Sequence, residues 1–325
     1  MSAYILRRLL YAVPILIGVN LITFALFFVV NSPDDMARMH LGQKRVTQEM
    51  VDQWKRQRGY DKPLVWNVAA EGVGKVTDTI FYNRSVRLFL FDFGRSDDGR
   101  DIGWDIRQRM LPSLAVAVPN LLAGVVLAIG LALTFALFRG SYLDVWGVVA
   151  CVILMSISTL FFYIGGQYVV GKLLRLAPIS GYGDGPDALR FVYLPVLVAV
   201  LGGIGASVRW YRTVFLEEMG KDFVRTARAK GLGEGRVMVR HVLANAMIPI
   251  LTGIVVILPA LFMGSLILES FFGIPGLGSY TIDGIKNQDF AIVRSMVFLG
   301  SVLYIVGLIL TDISYTLVDP RVRLE

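Results

Sequence analysis

The stretch Glu217–His241, EEMGKDFVRTARAKGLGEGRVMVRH, is polar and basic, yet strongly apolar runs lie on both sides of it. Apolar residues at Phe215, Met219, Phe223 and Ala227, and again at Val237, Val242 and Ala246, recur at helical spacing. Gly231, Gly233 and Gly235 interrupt them with permissive backbone. The pattern predicts a helix, a tight turn and a second helix. What such an element does depends on its flanks.

Those flanks predict a membrane protein. Of the 325 residues, 55% are hydrophobic, and they gather in runs of the length that a hydrocarbon core requires, about 20 residues per spanning helix. Six windows qualify: Leu9–Val30, Leu114–Phe138, Val145–Val170, Phe191–Val208, Ala246–Leu268 and Ile292–Leu317. The N-terminal run is longer than the core of a secretory signal and no A-x-A-like site follows it, so it is expected to remain as a first span. The net charge of +7 is then a matter of topology rather than of nucleic-acid binding. Arg7 and Arg8 precede the first window, Arg139 and the cluster Arg209–Arg240 fall in later connections of the same side, and Arg321 and Arg323 close the chain. Lys172, Arg175, Arg190, Lys286 and Arg294 fall on the other side. The asymmetry places both termini in the cytoplasm.

Three regions are expected: residues 1–31 as an N-terminal span, 32–111 as an external region, and 112–325 as a five-span core with the basic loop at about 209–245. A long connection translocates largely regardless of its charge. In it Val46, Met50 and Trp54 are predicted to share a helix face, with Thr47 as cap and Gly59 and Pro63 as terminators. The last external connection, ESFFGIPGLGSYTIDGIKNQDF from Glu269, mixes aromatics with Pro275, Gly276 and Gly278. Irregular backbone near a membrane needs protein or a water-filled cavity to satisfy it. Glu269, Pro275, Gly276 and Gly278 are therefore the candidates for an external gate or loop. Small residues inside the windows, among them Gly124, Gly166, Gly203 and Gly205, are read first as helix packing and second as a cavity wall.

Catalysis finds no support in the residues. His40 and His241 fall on opposite sides of the membrane, so neither a metal cluster nor a Ser-His-Asp set assembles, and Cys151 is read as a small buried hydrophobe. The segment GVGKV from Gly72 lacks the upstream Gly and the Ser or Thr of a phosphate loop. The chain is expected to bind no cofactor and to hydrolyse no ATP itself. Two readings of the basic loop remain: attraction to anionic lipid headgroups, or docking of a short helix into a groove of a cytoplasmic partner. Lipid attraction requires no defined bend, so the glycine turn favours docking.

The segment FVRTARAKGLGEGRVMVRHVLANAMIPI resembles the cytoplasmic signature loop of membrane subunits of binding-protein-dependent ABC importers, in the dipeptide/oligopeptide/nickel permease family. Such importers carry a Glu-Ala-Ala triplet with Gly four positions on; here Arg225, Thr226, Ala227 and Gly231 occupy those places, a departure similar to the peptide branch. YILRRLLYAVPILIGVNLITF, RGYDKPL, FDFGRS, ESFFGIPGLG and LVDPRVR extend the resemblance along nearly the whole chain. It implies an all-α protein of the bacterial inner membrane with six transmembrane helices, forming half of a translocation pathway. It implies as partners a second homologous permease subunit, two ATPase subunits that bind ATP and magnesium, and an extracytoplasmic substrate-binding protein. The coupling helix would run from about Lys221 to Leu232, with Asp222, Phe223, Arg225, Thr226, Ala227, Arg228, Lys230 and Gly231 as its contact and turn residues. Di- or oligopeptides are the expected substrate, with nickel chelates, glutathione or oligosaccharides as alternatives within the class. An ion-driven transporter is the rival outside it, and the scarcity of acids inside the windows opposes that reading.

Overall fold

The computed structural model describes residues 2–42, 46–183 and 185–318. The similarity at LVDPRVR from Asp319 onward, with Arg321 and Arg323, lies outside them. The described residues are helical apart from loops and one isolated bridge between Arg95 and Asp101.

Helix α1 (Ser2–Phe24) ends through a π-helical turn at Ala25–Val30. Helix α2 (Pro33–Leu41) starts in a capping box, in which Asp35 N donates to Ser32 Oγ at 3.2 Å and Ser32 N donates to the Asp35 carboxylate at 3.2 Å. In α3 (Gln48–Arg58) the Thr47 hydroxyl accepts from Met50 N at 3.4 Å, and Gly59 at φ +67° ends the helix. The two caps fall where the sequence puts them, but the inward face does not: Val51 and Trp54 are buried while Met50 is exposed. Short helices α4 (Gly74–Thr77) and α5 (Ile80–Arg84) complete this region.

The long apolar helices come next. They are α6 (Ile102–Leu137), α7 (Tyr142–Ser156), α8 (Thr159–Gly166) and α9 (Ala188–Met219). After α10 (Asp222–Ala229), α11 (Glu234–Val237) runs through a π-helical turn at Met238–Leu243 into α12 (Ala244–Met263). Then follow α13 (Leu266–Phe272), α14 (Leu277–Lys286) and α15 (Phe290–Val318). Five helices are long and apolar enough to cross a membrane, and α7 with α8 and its continuation to Leu173, bent by 88°, makes up to six.

Three expected boundaries change. Helix α6 begins twelve residues before its apolar window; at 1.5 Å per residue it is about 54 Å long, more than a hydrocarbon core. Its polar first turns persist because Ile102, Asp105 and Ile106 are buried. The third window is broken at Ile157 and Ser158, whose extended backbone (ψ 129° and 138°) interrupts the helical ladder inside a continuously apolar run. Hydropathy is blind to such a break. The fifth span stops at Met263 because Gly264 takes φ +69°. Arg294, expected in an outer connection, is a buried residue of α15 with its guanidinium 5.5 Å from the Phe28 ring.

Contacts divide the chain into two units. The first runs to Met110 and takes in Tyr280–Val306, so the long first connection shares a unit with α1 and the start of α15. Its core joins Phe24, Phe28, Met36, Val51, Trp54, Tyr60 and Ile80. The second comprises Leu111–Ser279 with α15 from Gly307. One of its cores joins Ala128, Ala132, Val208, Phe215, Val237, Val242 and Ile250; another joins Val116, Tyr163, Leu194, Val198, Leu268 and Phe272.

Candidate functional site

The basic connection is a small folded foot. Helix α9 ends at Met219 and Lys221, with φ −79° and ψ 153°, turns the chain into α10. Val224 and Ala227, 0% and 4% exposed, pack on Val237, Met238 and Val242 of the chain's own core. The apolar face of the foot is thus used internally, and Ala227, expected among the contact residues, is buried in it. Asp222, Arg225, Thr226, Arg228 and Lys230 are exposed and Phe223 is half-buried. Arg228 makes two hydrogen bonds to Glu234, at 2.8 and 3.1 Å, across the turn between α10 and α11. Arg225 lies 3.4 Å from Asp222, and Lys221 lies 2.6 Å from the buried Glu218. Gly231 takes φ +78°, the left-handed region that a β-branched residue enters only with strain. Gly233 is extended and Gly235 is helical, so of the three glycines only Gly231 is demanded by its backbone.

Above the foot, α9 is joined to α7 by an ion pair that the apolar windows omit. Arg212 on α9 donates to both carboxylate oxygens of Asp144 on α7, at 2.7 and 2.8 Å, and Gly140 N donates to the same carboxylate at 3.0 Å. Asp144 is buried. Each residue falls a few positions outside a window, which is why neither reads as a membrane charge in the sequence.

The last connection is organised around Glu269, which is 1% exposed. Its carboxylate accepts from Ser113 Oγ at 2.8 Å, Ser265 N at 3.0 Å and Ser279 N at 3.1 Å, and also from Gly278 N. Ser113 in turn accepts from Leu277 N at 2.8 Å. Burial pushes the Glu269 carboxyl up from its ordinary range, and the four donors oppose that rise. A Cβ at Gly264 or Gly276 would strike both the Glu269 carboxylate and Ser113, and one at Gly278 would come within 2.6 Å of Ser265 backbone. Pro275 stands in the tight turn where Gly276 N donates to Ile274 O at 2.8 Å. Glu269, Gly276 and Gly278 therefore meet at one carboxylate, with Pro275 in the adjoining turn, and Ser113, 156 residues away in sequence, completes the group. No local pattern marks Ser113 in the sequence. Gly181 N donates to Phe272 O at 2.7 Å, and Gln167 donates to Ile179 O and Phe271 O, which fastens a second connection to the same loop.

No group of three or more His, Cys, Asp or Glu suited to a metal occurs among the described residues.

Comparison with known proteins gives this geometry a family. The family of binding-protein-dependent transport system inner membrane components matches residues 108–324, and the N-terminal component of the same class matches residues 1–86. The di/tripeptide transport system permease protein of Pseudomonas aeruginosa is 29% identical over 350 residues, covering 99% of both chains. The dipeptide transport system permease protein of Escherichia coli is 29% identical over 351 residues, again covering 99% of both. With most of its length matched, and with the helices to cross a membrane several times, the chain belongs to the family of inner membrane components of binding-protein-dependent transport systems.

Proposed function

We propose that the chain is one permease subunit of an ABC importer for di- or oligopeptides, and that α10 is the foot through which partner ATPases move it. The observation that carries the coupling role is the foot's construction. Val224 and Ala227 anchor it to the ends of the long helices while its polar face stands uncovered, the Arg225 and Asp222 side chains being 74% and 94% exposed. A compact foot on a stiff lever suits the conversion of a partner's closure into helix motion. The peptide substrate is supported by the two transport relatives, whose names specify dipeptides and tripeptides.

In this reading two ATPase subunits bind ATP and magnesium, a second homologous permease supplies the other half of the pathway, and an extracytoplasmic binding protein delivers substrate. Both termini and the foot face the cytoplasm of a bacterial cell, in accord with the positive-inside asymmetry. The chain performs no hydrolysis.

The test is isolation of the complex through a tag on this chain, followed by reconstitution with its binding protein. ATP-dependent accumulation of a labelled dipeptide is the expected result. An isolated chain without ATPase partners, or uptake driven by an ion gradient with no need of ATP, would overturn the reading.

A further inference from the structure

The second unit encloses a cleft of about 470 Å³ among α6, α9 and α12. Its size falls in the ordinary range for small-ligand sites, about 300 to 1,000 Å³. The glycines of the long helices are of two kinds, those whose Cβ a neighbour would strike and those that face open space, the second kind including Gly130 and Gly165 outside the cleft. A Cβ at Gly205 would lie 2.6 Å from Cys151 O, and one at Gly166 would strike Val198, so those two permit close helix packing. At Gly124 and Gly203 a Cβ would meet nothing within 4 Å, and at Gly253 only the edge of Trp210 at 3.6 Å. These three, one from each helix, line the cleft. Packing does not require them, and what they provide is width.

The polar lining points the same way. Asn120 projects into the cleft from α6 at the depth of a membrane span, and its side-chain amide hydrogen-bonds to none of the described residues. An amide without a partner in hydrocarbon is costly, so a group of that kind at that depth calls for water or a ligand that pairs with it. No residue lining the cleft is charged. A smaller cavity of about 140 Å³ shares Asn120 and Leu261 with the cleft and reaches Ser113 and Glu269. Asn120 thus stands where the wide cleft adjoins the carboxylate group of the last connection.

We propose that this cleft is a substrate-contacting subsite that takes one segment of a passing peptide, with Asn120 pairing with its backbone amide and Gly124, Gly203 and Gly253 setting the largest side chain admitted. The proposal rests on the peptide-import reading above. An uncharged wall makes the subsite indifferent to side-chain charge, and a wall of glycines makes it sensitive to bulk. Selection by size and tolerance of charge are its signature. A lipid chain or a helix of the neighbouring permease subunit are the competing occupants.

Two measurements on the reconstituted complex test it. Cys151 is the chain's only cysteine and is buried, so in a Cys151→Ala background Ser207→Cys places a single thiol in the cleft. A small charged methanethiosulfonate is expected to modify it from water, and an excess of imported dipeptide to slow that reaction. In the second arm, Gly203→Leu is expected to lower uptake of a tryptophan-containing dipeptide at least about tenfold relative to alanyl-alanine, the scale on which a filled pocket discriminates side chains. Lysyl and glutamyl dipeptides of equal bulk are expected to change together. Reaction only with a lipid-soluble maleimide would assign the cleft to lipid or to a neighbouring helix and overturn the proposal. Aqueous reaction indifferent to peptide, or equal loss for small and large dipeptides, would also overturn it. Uptake by the unaltered complex is measured first: its absence defeats the peptide reading itself, whereas its presence with a failed thiol or size arm defeats only the subsite.

Discussion

The two connections that frame the long helices solve opposite problems. The basic foot carries its charges outward, where Arg225, Arg228 and Lys230 meet water and their ion pairs are short-range and solvated. The last connection turns the Glu269 carboxylate inward and surrounds it with donors until almost none of it is exposed. An outward charge contributes little to stability and is free to serve a partner. An inward charge contributes only while every lone pair is met, so it fixes shape. The comparison teaches that the region with more charge is the less important one for folding.

Substitutions that break the comparison should rank accordingly. Glu269→Ala leaves the Ser113 hydroxyl and three backbone N–H groups without their acceptor and is expected to cost at least about 3 kcal/mol, read as a fall in the melting temperature of the purified protein. Asp144→Ala strands Arg212 between two helices and is expected to cost about 3 kcal/mol, at the low end for breaking a buried pair because Arg212 is 22% exposed. The exchange Asp144→Arg with Arg212→Asp should recover part of it. Gly205→Ala forces a methyl against Cys151 O and is expected to cost about 1 to 3 kcal/mol. Glu234→Ala on the foot should change stability by less than about 1 kcal/mol, since its bridge to Arg228 is open to solvent.

The buried carboxylate also carries a pH signature. Burial raises the Glu269 carboxyl above its unfolded value, so the native state holds the proton over a pH window in which the unfolded chain has lost it. Stability from this group is complete below the ordinary carboxylate range and declines as pH rises through the raised value. Glu269→Gln should remove that decline, seen as a flatter curve of melting temperature against pH.

The same contrast explains what was legible in the sequence. The foot was readable because its code is local: a periodic helix, a left-handed glycine at Gly231 and a run of cations between apolar windows. Its orientation was not, since the inward turn of Val224 and Ala227 depends on Val237, Met238 and Val242, whose positions follow from the fold. At the last connection the glycines and Glu269 were visible as a dense motif, but Ser113 was not, because nothing near it in the chain marks a partner for a distant carboxylate. Asp144 and Arg212 were missed for a related reason. Each sits just beyond an apolar window, where a charge looks like an ordinary loop residue. The break at Ile157 and Ser158 left no trace at all, because hydropathy measures burial in lipid and not backbone direction.

The most direct test of the central claim, that α10 is the ATPase-coupling foot, is Gly231→Val in the complete complex. Gly231 is surrounded by open space, so its replacement strains only the φ +78° turn and leaves the helices above it undisturbed. Normal membrane insertion with loss of both peptide-stimulated ATP hydrolysis and peptide uptake is the predicted result. Retention of both activities at the level of the unaltered complex would contradict it.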